Sequence, residues 1–433
     1  MSTTTSKSAQ RVKNTPRRAA IAAMVGTAIE YYEFGVYGYL AVVISPLFFP
    51  SAEPATALLS TLAVFGSAFL IRPLGGIILG RLGDLFGRRI VLLVTVIGMG
   101  TATAATGLLP THETAGLWAP VLLLVVRLFQ GFFAGGEVTG AATYVAESAP
   151  NGRRGFWGGF TPMGVAFGGA AAATVAGVCS GTLTGAQMSE FGWRIPFLMS
   201  IPLVILSIVI RRKISEAHAF EELQEQNALP KAPLKTVVTK YWRNVLRVIL
   251  ISFGQNVGYW VGFIFMNIYM TQYLKMDRTT VYWTMAAIGI AVAVMMPLWG
   301  GLSDRIGRRK VLTIGFFGYM ILVVPMMLLM GLGNIPLAIA AMVVLALPMP
   351  IVQSVGYPTY TEQFPTHVRY TGISLSFNIG TILGGGLTPL LATSLIASTG
   401  NLLAPGFILI GACLVALVTL VRMRETSKEE LEQ

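Results

Sequence analysis

Long apolar runs separated by short polar stretches recur along the whole chain. A helix needs about 20 mostly apolar residues to cross a lipid bilayer. Twelve stretches have roughly this length or more, and they cover residues 19–44, 56–82, 90–109, 119–146, 156–180, 194–211, 244–272, 280–302, 311–331, 336–362, 370–396 and 402–422. This pattern predicts an all-α integral membrane protein with twelve transmembrane helices.

One polar stretch is much longer than the others and divides the predicted helices into two groups of six. The chain is therefore expected to have five regions. They are a basic cytoplasmic N-terminus at 1–18, an N-terminal six-helix bundle at 19–211, a central cytoplasmic loop at 212–243, a C-terminal six-helix bundle at 244–422 and a cytoplasmic tail at 423–433.

The composition excludes a conventional soluble enzyme. Charged residues make up 12% of the chain, about half of the ~25% that is usual for soluble domains. The two cysteines lie inside apolar runs and are expected to be buried thiols. No group of potential ligands has metal-binding spacing and no nucleotide-binding motif occurs, so we expect no metal and no organic cofactor.

The net charge of +12 is high enough to raise the question of nucleic-acid binding. With both termini placed in the cytoplasm, the basic residues of the outer loops are Arg194, Lys275 and Arg278. This asymmetry follows the positive-inside rule. The positive charge is therefore explained by membrane orientation, and we expect contact with the lipid bilayer and no nucleic-acid partner.

Two loop motifs occur once in each half. Gly80-Arg-Leu-Gly-Asp-Leu-Phe-Gly-Arg-Arg89 matches Gly300-Gly-Leu-Ser-Asp-Arg-Ile-Gly-Arg-Arg309, and the Glu147–Arg154 segment matches Glu362–Arg369. The repeats predict two pseudo-symmetric six-helix bundles. Their charges, together with Arg72 near the inner end of the second span, are expected to form a cytoplasmic gate and conformational network. Its members are Arg72, Asp84, Arg88, Glu147, Arg154, Asp304, Arg308, Glu362 and Arg369.

Five charged residues fall within the predicted spans, where charges are costly and mark functional sites. They are Glu30, Glu33, Arg72, Arg127 and Glu137. The three glutamates, together with Arg127, are predicted to couple transport to protons, because an arginine that can leave a carboxylate for substrate acts as a switch. The alternative is that Glu30 or Glu137 forms a fixed ion pair that only stabilises helix packing.

Amide and aromatic side chains on other spans predict the remainder of a substrate pocket. The expected substrate-binding residues are Arg127, Tyr37, Gln130, Gln255, Asn256, Tyr259, Trp260, Tyr357 and Asn378, with Arg127 as the anchor for a carboxylate. Such groups also hold transmembrane helices together, which is the alternative for each of them.

The loop motifs resemble those of the major facilitator superfamily. A narrower resemblance to its metabolite:proton symporters lies in Gly26-Thr-Ala-Ile-Glu-Tyr-Tyr-Glu-Phe-Gly35, Arg72-Pro-Leu-Gly-Gly76 and Arg127-Leu-Phe-Gln-Gly131. That family usually has Asp at the position of Glu33. The resemblance implies the major facilitator fold, the bacterial cytoplasmic membrane and a monomer that transports small molecules, with the proton as coupling ion.

The expected function is proton-coupled uptake of a small carboxylated metabolite by alternating access. One alternative is the import of a zwitterion such as proline or betaine, and another is export. A non-transporting membrane sensor is an alternative from a different class. An enzyme is not expected, because no nucleophile and base set occurs in the sequence.

Overall fold

The computed structural model describes residues 15–51, 53–86, 88–211, 233–429 and 431. Two predicted gate residues, Asp84 and Arg88, have side chains outside the described residues, as have their neighbours at 80, 81 and 83–92. Most of the predicted central loop, 212–232, also lies outside the described residues.

The described chain forms twelve long helical segments in two sets of six. They are α1 (Pro16–Phe48), α2 (Pro54–Phe86), α3 (Arg88–Leu108), α4 (Trp118–Ser148), α5 (Arg154–Thr182), α6 (Gly185–Val209), α7 (Trp242–Tyr273), α8 (Arg278–Ile306), α9 (Arg308–Met330), α10 (Ile335–Thr361), α11 (Thr366–Thr399) and α12 (Ala404–Val421). Ten of these are long and apolar enough by themselves to cross a membrane. The all-helical, twelve-helix prediction is confirmed.

Several segments are not regular α-helices along their whole length. A 3₁₀ turn, Ala134–Gly136, interrupts α4, and π-helical turns occur at Trp260–Phe265 and Tyr269–Tyr273 in α7 and at Ile382–Gly386 in α11. Hydropathy does not distinguish these turns from α-helix. Turns of this type are frequent at functional sites.

The two halves, α1–α6 and α7–α12, meet along a few helix pairs. Helix α5 packs on α1 in its own half and on α8 in the other half, while α2 contacts α11. Because α2 and α8 occupy equivalent places in their halves, as do α5 and α11, the two contacts are related by the internal repeat.

Glycines bring α2 and α4 into very close contact inside the N-terminal half. A Cβ atom at Gly131 would overlap the carbonyl group of Ala68, and one at Gly75 would overlap that of Phe132. Small residues at such positions allow transmembrane helices to approach closely. The approach brings the arginines of both helices toward the same region of α1.

Candidate functional site

Glu30 of α1 and Arg72 of α2 form an ion pair deep inside the N-terminal half. Arg72 Nη2 donates to Glu30 Oε1 at 3.0 Å, and the two side chains are 3% and 0% exposed. The Arg72 guanidinium also lies 4.4 Å from the ring centroid of Phe34. The sequence predicts Arg72 in the cytoplasmic gate, but its partner lies on the membrane-spanning helix α1. The ion-pair alternative is therefore the arrangement found for Glu30.

Arg127 of α4 is buried among aromatic rings. Its Nη1 group donates to the side-chain oxygen of Gln130, and its Cζ atom lies 4.2 Å from the Tyr37 ring centroid and 5.2 Å from that of Phe65. Within the described part of the chain, its Nε and Nη2 groups have no hydrogen-bond partner. A buried guanidinium with unused donors is costly, and these donors can bind a carboxylate.

Hydrogen bonds connect Arg127 with Glu33. Gln130, which accepts from Arg127, donates through Nε2 to Thr103 Oγ1 at 2.8 Å, and Thr103 Oγ1 is 3.1 Å from Glu33 Oε2. The second oxygen, Glu33 Oε1, has no hydrogen-bond partner among the described residues. The arrangement places a titratable carboxylate at one end of a short polar chain and a free donor set at the other.

Glu137 lies on the same helix as Arg127, directly after the 3₁₀ turn Ala134–Gly136. Its side chain is buried and close enough to Glu33 for an electrostatic interaction. At the same turn, Asn378 Nδ2 of α11 donates to the carbonyl oxygen of Gly135 at 2.9 Å. The predicted residue Asn378 therefore joins the two halves beside the buried carboxylates.

Three predicted pocket residues of the C-terminal half reach the N-terminal half. The hydroxyl groups of Tyr31 and Tyr357 lie close enough to interact electrostatically. The Tyr259 ring lies 5.6 Å from that of Tyr31, and the Trp260 ring lies 5.1 Å from that of Phe65. The structure therefore brings Tyr259, Trp260 and Tyr357 together with the buried charges.

Two other predicted residues take part in contacts within the C-terminal half. Gln255 donates to Gln353 at 2.7 Å and accepts a hydrogen bond from Tyr360, and Asn256 donates to the carbonyl oxygen of Ser252 at 2.8 Å. These bonds hold α7 to α10 and stabilise α7 itself. In this arrangement the two amides serve helix packing, which was the alternative for such groups.

The site also contains residues that were not predicted from the sequence. They are Tyr31, Phe34, Phe65, Phe69 and Thr103, which contact the two arginines, the cross-half aromatic rings or Glu33. Phe65, Phe69 and Arg72 lie at helical spacing on α2, which is a signal that could have been used. Thr103 carries no comparable signal in α3.

At one end of the bundle, charged residues from both halves form a network. We call this the motif end, because it carries the loops between α2 and α3, α4 and α5, α8 and α9, and α10 and α11. Glu362 Oε1 forms an ion pair with Arg154 Nη1 at 3.2 Å and accepts a hydrogen bond from Arg308 Nη2 at 3.1 Å. Arg369 pairs with Glu147 at 3.0 Å. The two members of the Glu147–Arg369 and Arg154–Glu362 pairs come from opposite halves, so the network closes this end.

Asp304 adds a helix cap to this network. Its carboxylate accepts from the backbone N–H groups of Gly155 at 2.8 Å and Phe156 at 2.9 Å, and it pairs with Arg308 at 2.8 Å. A carboxylate of α8 therefore satisfies the first donors of α5 in the other half. The interaction is favourable because the N-terminus of a helix attracts negative charge.

The tail that follows α12 joins the same network. The carboxylate of Glu425 accepts from the backbone N–H groups of Arg308 at 2.8 Å and Arg309 at 3.1 Å. Burial acts to raise the pKa of Glu425, but hydrogen bonds from Arg308, Ser427 and Arg309 outweigh it and hold the pKa below its usual value. The Glu425 carboxylate is therefore charged at neutral pH. Its stabilisation of the motif end is lost only as the pH falls through this lowered pKa.

Replacing Asp304 by asparagine is expected to open the motif end more often. The change removes the charge from hydrogen bonds that cross between halves, and charge-assisted bonds are the stronger ones. A cysteine introduced at the fully buried Thr361 should then react about tenfold faster with a water-soluble thiol reagent. Both native cysteines are buried, which keeps the background low.

Asp277→Asn is the matched control for that experiment. Asp277 also caps a helix N-terminus, because its Oδ2 atom accepts from Thr280 N at 2.9 Å, but the capped helix is its own α8 at the opposite end. Equal labelling rates in the Asp304 and Asp277 variants would contradict the gating role of Asp304.

The opposite end is also bridged between the halves. Tyr282 Oη donates to the carbonyl oxygen of Tyr39 at 3.0 Å, and the hydroxyl groups of Ser180 and Thr279 are 3.0 Å apart. Together with the closed motif end, these contacts enclose the centre of the molecule. The glutamates of α1 that lie there are 0% exposed.

A bundle of two repeated six-helix halves, with a charged and enclosed site between the membrane faces, defines a secondary transporter. The chain belongs to the Major Facilitator Superfamily, whose family model matches residues 20–376 and 248–433. It is a multi-pass membrane transporter and not an enzyme.

Curated relatives of the chain carry the names of bacterial solute transporters. The chain is 37% identical over 425 residues to the proline/betaine transporter of Escherichia coli, a match that covers 96% of this chain and 85% of the relative. It is 36% identical over 426 residues to the glycine betaine/proline/ectoine/pipecolic acid transporter OusA of Dickeya dadantii, with the same 96% and 85% coverage. The solutes in these names agree with the alternative expectation of a zwitterion. They do not support the main expectation of an organic acid.

Solved structures show the same fold at low sequence identity. A structure of the proton:xylose symporter XylE bound to 6-bromo-6-deoxy-D-glucose superposes with a TM-score of 0.77 at 16% identity, covering 96% of this chain and 97% of that chain. An inward open structure of the xylose transporter XylE from E. coli gives a TM-score of 0.70 at 18% identity, covering 95% of this chain and 97% of that chain.

Proposed function

We propose that this protein imports a small zwitterion, of the proline or betaine type, together with a proton. The observation that carries the proposal is the pairing of unused groups in one buried site. Arg127 has two donor groups without partners among the described residues, and Glu33 has one such oxygen. The Arg127 donors suit the carboxylate of the solute, and the Glu33 oxygen suits the coupling proton.

The geometry favours Glu33 over Glu30 as the proton carrier. Glu30 is held by Arg72 at 3.0 Å, and a paired arginine stabilises the charged form of a carboxylate. Within the described parts of α1–α12, Glu33 has only the Thr103 hydroxyl group as a hydrogen-bond partner, on one of its oxygens. Burial without a cationic partner favours the protonated form, so a proton can be taken up at this position during the cycle.

The motif-end network then supplies the conformational part of the cycle. We place both termini and this end on the cytoplasmic side of a bacterial inner membrane, in agreement with the excess of basic residues. Opening the network would release a solute to the cytoplasm. A proton and a zwitterion move together as one positive charge, which an inside-negative potential draws inward.

Uptake by proteoliposomes at an imposed potential tests this proposal. At equal pH on both sides, an inside-negative potential of 100 mV supplies about 2.3 kcal/mol per charge. Uptake of proline or glycine betaine is expected to rise with this potential and to acidify the lumen. Uptake of these zwitterions that is indifferent to the potential would contradict their movement with a net positive charge. Uptake without acidification would contradict proton symport.

A further inference from the structure

Five aromatic rings from both halves meet beside the buried charges. We call this group the aromatic cage: Tyr31, Phe65, Phe69, Tyr259 and Trp260. The Trp260 ring is the centre, with ring-centroid distances of 5.1 Å to Phe65, 5.3 Å to Phe69 and 5.2 Å to Tyr259. Three of the rings come from the N-terminal half and two from α7 of the other half.

The rings of the cage already contact two cations. Arg127 Cζ lies 5.2 Å from the Phe65 ring centroid, and Arg72 Cζ lies 4.8 Å from that of Phe69. The face of an aromatic ring is negative, so it attracts cations, and a tryptophan ring does so best. The Trp260 ring is 1% exposed, which makes such an attraction stronger because water does not compete.

Unused polar atoms in the cage point to a ligand. Tyr259 Oη and Trp260 Nε1 are buried and have no hydrogen-bond partner among the described residues. Each such group costs free energy unless a bound molecule satisfies it. In addition, Trp260 begins the π-helical turn Trp260–Phe265, a local geometry that is enriched at binding sites.

We infer that the aromatic cage binds the cationic end of the transported zwitterion, an inference that rests on the proposed function. The carboxylate of the solute binds to Arg127, and Phe65 stands between that arginine and the Trp260 ring. A quaternary ammonium group has no N–H to donate, so ring faces recognise it better than hydrogen-bond acceptors do. A secondary ammonium group can also donate to the hydroxyl group of Tyr259.

This assignment leaves the carboxylate of Glu33 available for the coupling proton. If a carboxylate bound the cationic end of the solute, the cation would compete with the proton for the same group. Neutral rings bind the cation without such competition. The cage is also assembled from both halves, so a bound cation strengthens the contact between them and favours the enclosed state.

Variants at Trp260 test the inference through the substrate dependence of KM. Trp260→Leu is expected to raise the KM for glycine betaine about 30-fold, with a smaller increase for proline, since a desolvated cation–π contact is lost. The KM of Trp260→Phe for glycine betaine should lie between that of wild type and that of Trp260→Leu. Trp193→Phe is the control, because Trp193 is also fully buried but packs on Phe48 and Phe197 away from the cage.

A second measurement requires no variant. Tetramethylammonium should inhibit wild-type uptake competitively, whereas tert-butanol, a neutral molecule of similar shape, should inhibit far less. Equal inhibition by the two compounds would overturn the inference that the aromatic cage binds the cation. Equal KM changes for both solutes in Trp260→Leu would overturn it as well. Failure of the proposed function is distinguishable, because the wild-type protein would then transport neither zwitterion with a proton.

Discussion

Replacing Arg127 by glutamine should lower the transport efficiency, Vmax/KM, about 100-fold for any solute that carries a carboxylate. Its Nε and Nη2 groups, which have no partner among the residues that the structure describes, can form charge-assisted hydrogen bonds. Each such bond is worth about 1.5–3 kcal/mol. Glutamine retains one amide but has neither the charge nor the planar fork. Initial rates of radiolabelled solute uptake in proteoliposomes measure the change.

Arg194→Gln is the matched control for Arg127→Gln. Arg194 also stacks on an aromatic ring, at 4.4 Å from the Trp193 centroid, but its Nη1 group donates to the carbonyl oxygens of Gly107 and Leu109 at 2.8 Å and 2.7 Å. Its transport rate per folded molecule should match wild type. If Arg127→Gln also transported at the wild-type rate, Arg127 would not be the carboxylate anchor.

Glu33→Gln should abolish accumulation driven by a pH gradient while preserving exchange of solute across the membrane. The amide can keep the hydrogen bond to Thr103, so the helix packing should survive, but it cannot take up or release a proton in the cycle. With one coupled proton, a gradient of one pH unit supports roughly tenfold accumulation. The variant should show no accumulation above the external concentration.

Counterflow without a pH gradient separates the two activities of that variant. Glu53→Gln serves as the control, since Glu53 is an exposed glutamate in the loop between α1 and α2. Normal gradient-driven accumulation by Glu33→Gln would show that another carboxylate carries the proton, and Glu137→Gln would then be the next variant to measure.

The membrane spans and the buried charges could be predicted from the sequence, because a charge stands out in an apolar helix. The partners of those charges could not be predicted in the same way. Helical spacing shows that Glu30 and Glu33 share a face of α1, but it does not show which arginine faces them. That depends on the close contact of α2 with α4 at Gly75 and Gly131, which is a tertiary property.

The aromatic part of the site was harder to predict for another reason. Phenylalanine serves equally well against lipid and around a cavity, so Phe65 and Phe69 are not distinguished by composition. Trp260 and Tyr259 were included because polar residues surround them on α7. Their neighbours Gln255 and Asn256 share that pattern and nevertheless bind within their own half, so a polar stripe alone does not define the site.

The network at the motif end has a consequence for biosynthesis. Its hydrogen bonds join positions as far apart as Arg154 and the carbonyl oxygen of Glu429. A chain that leaves the ribosome from its N-terminus exposes Glu147 and Arg154 long before Glu362 and Arg369 exist. During that interval the first six helices lack the cross-half partners Glu362 and Arg369. The finished enclosure can therefore form only after translation has passed α11, and the tail contacts are added last.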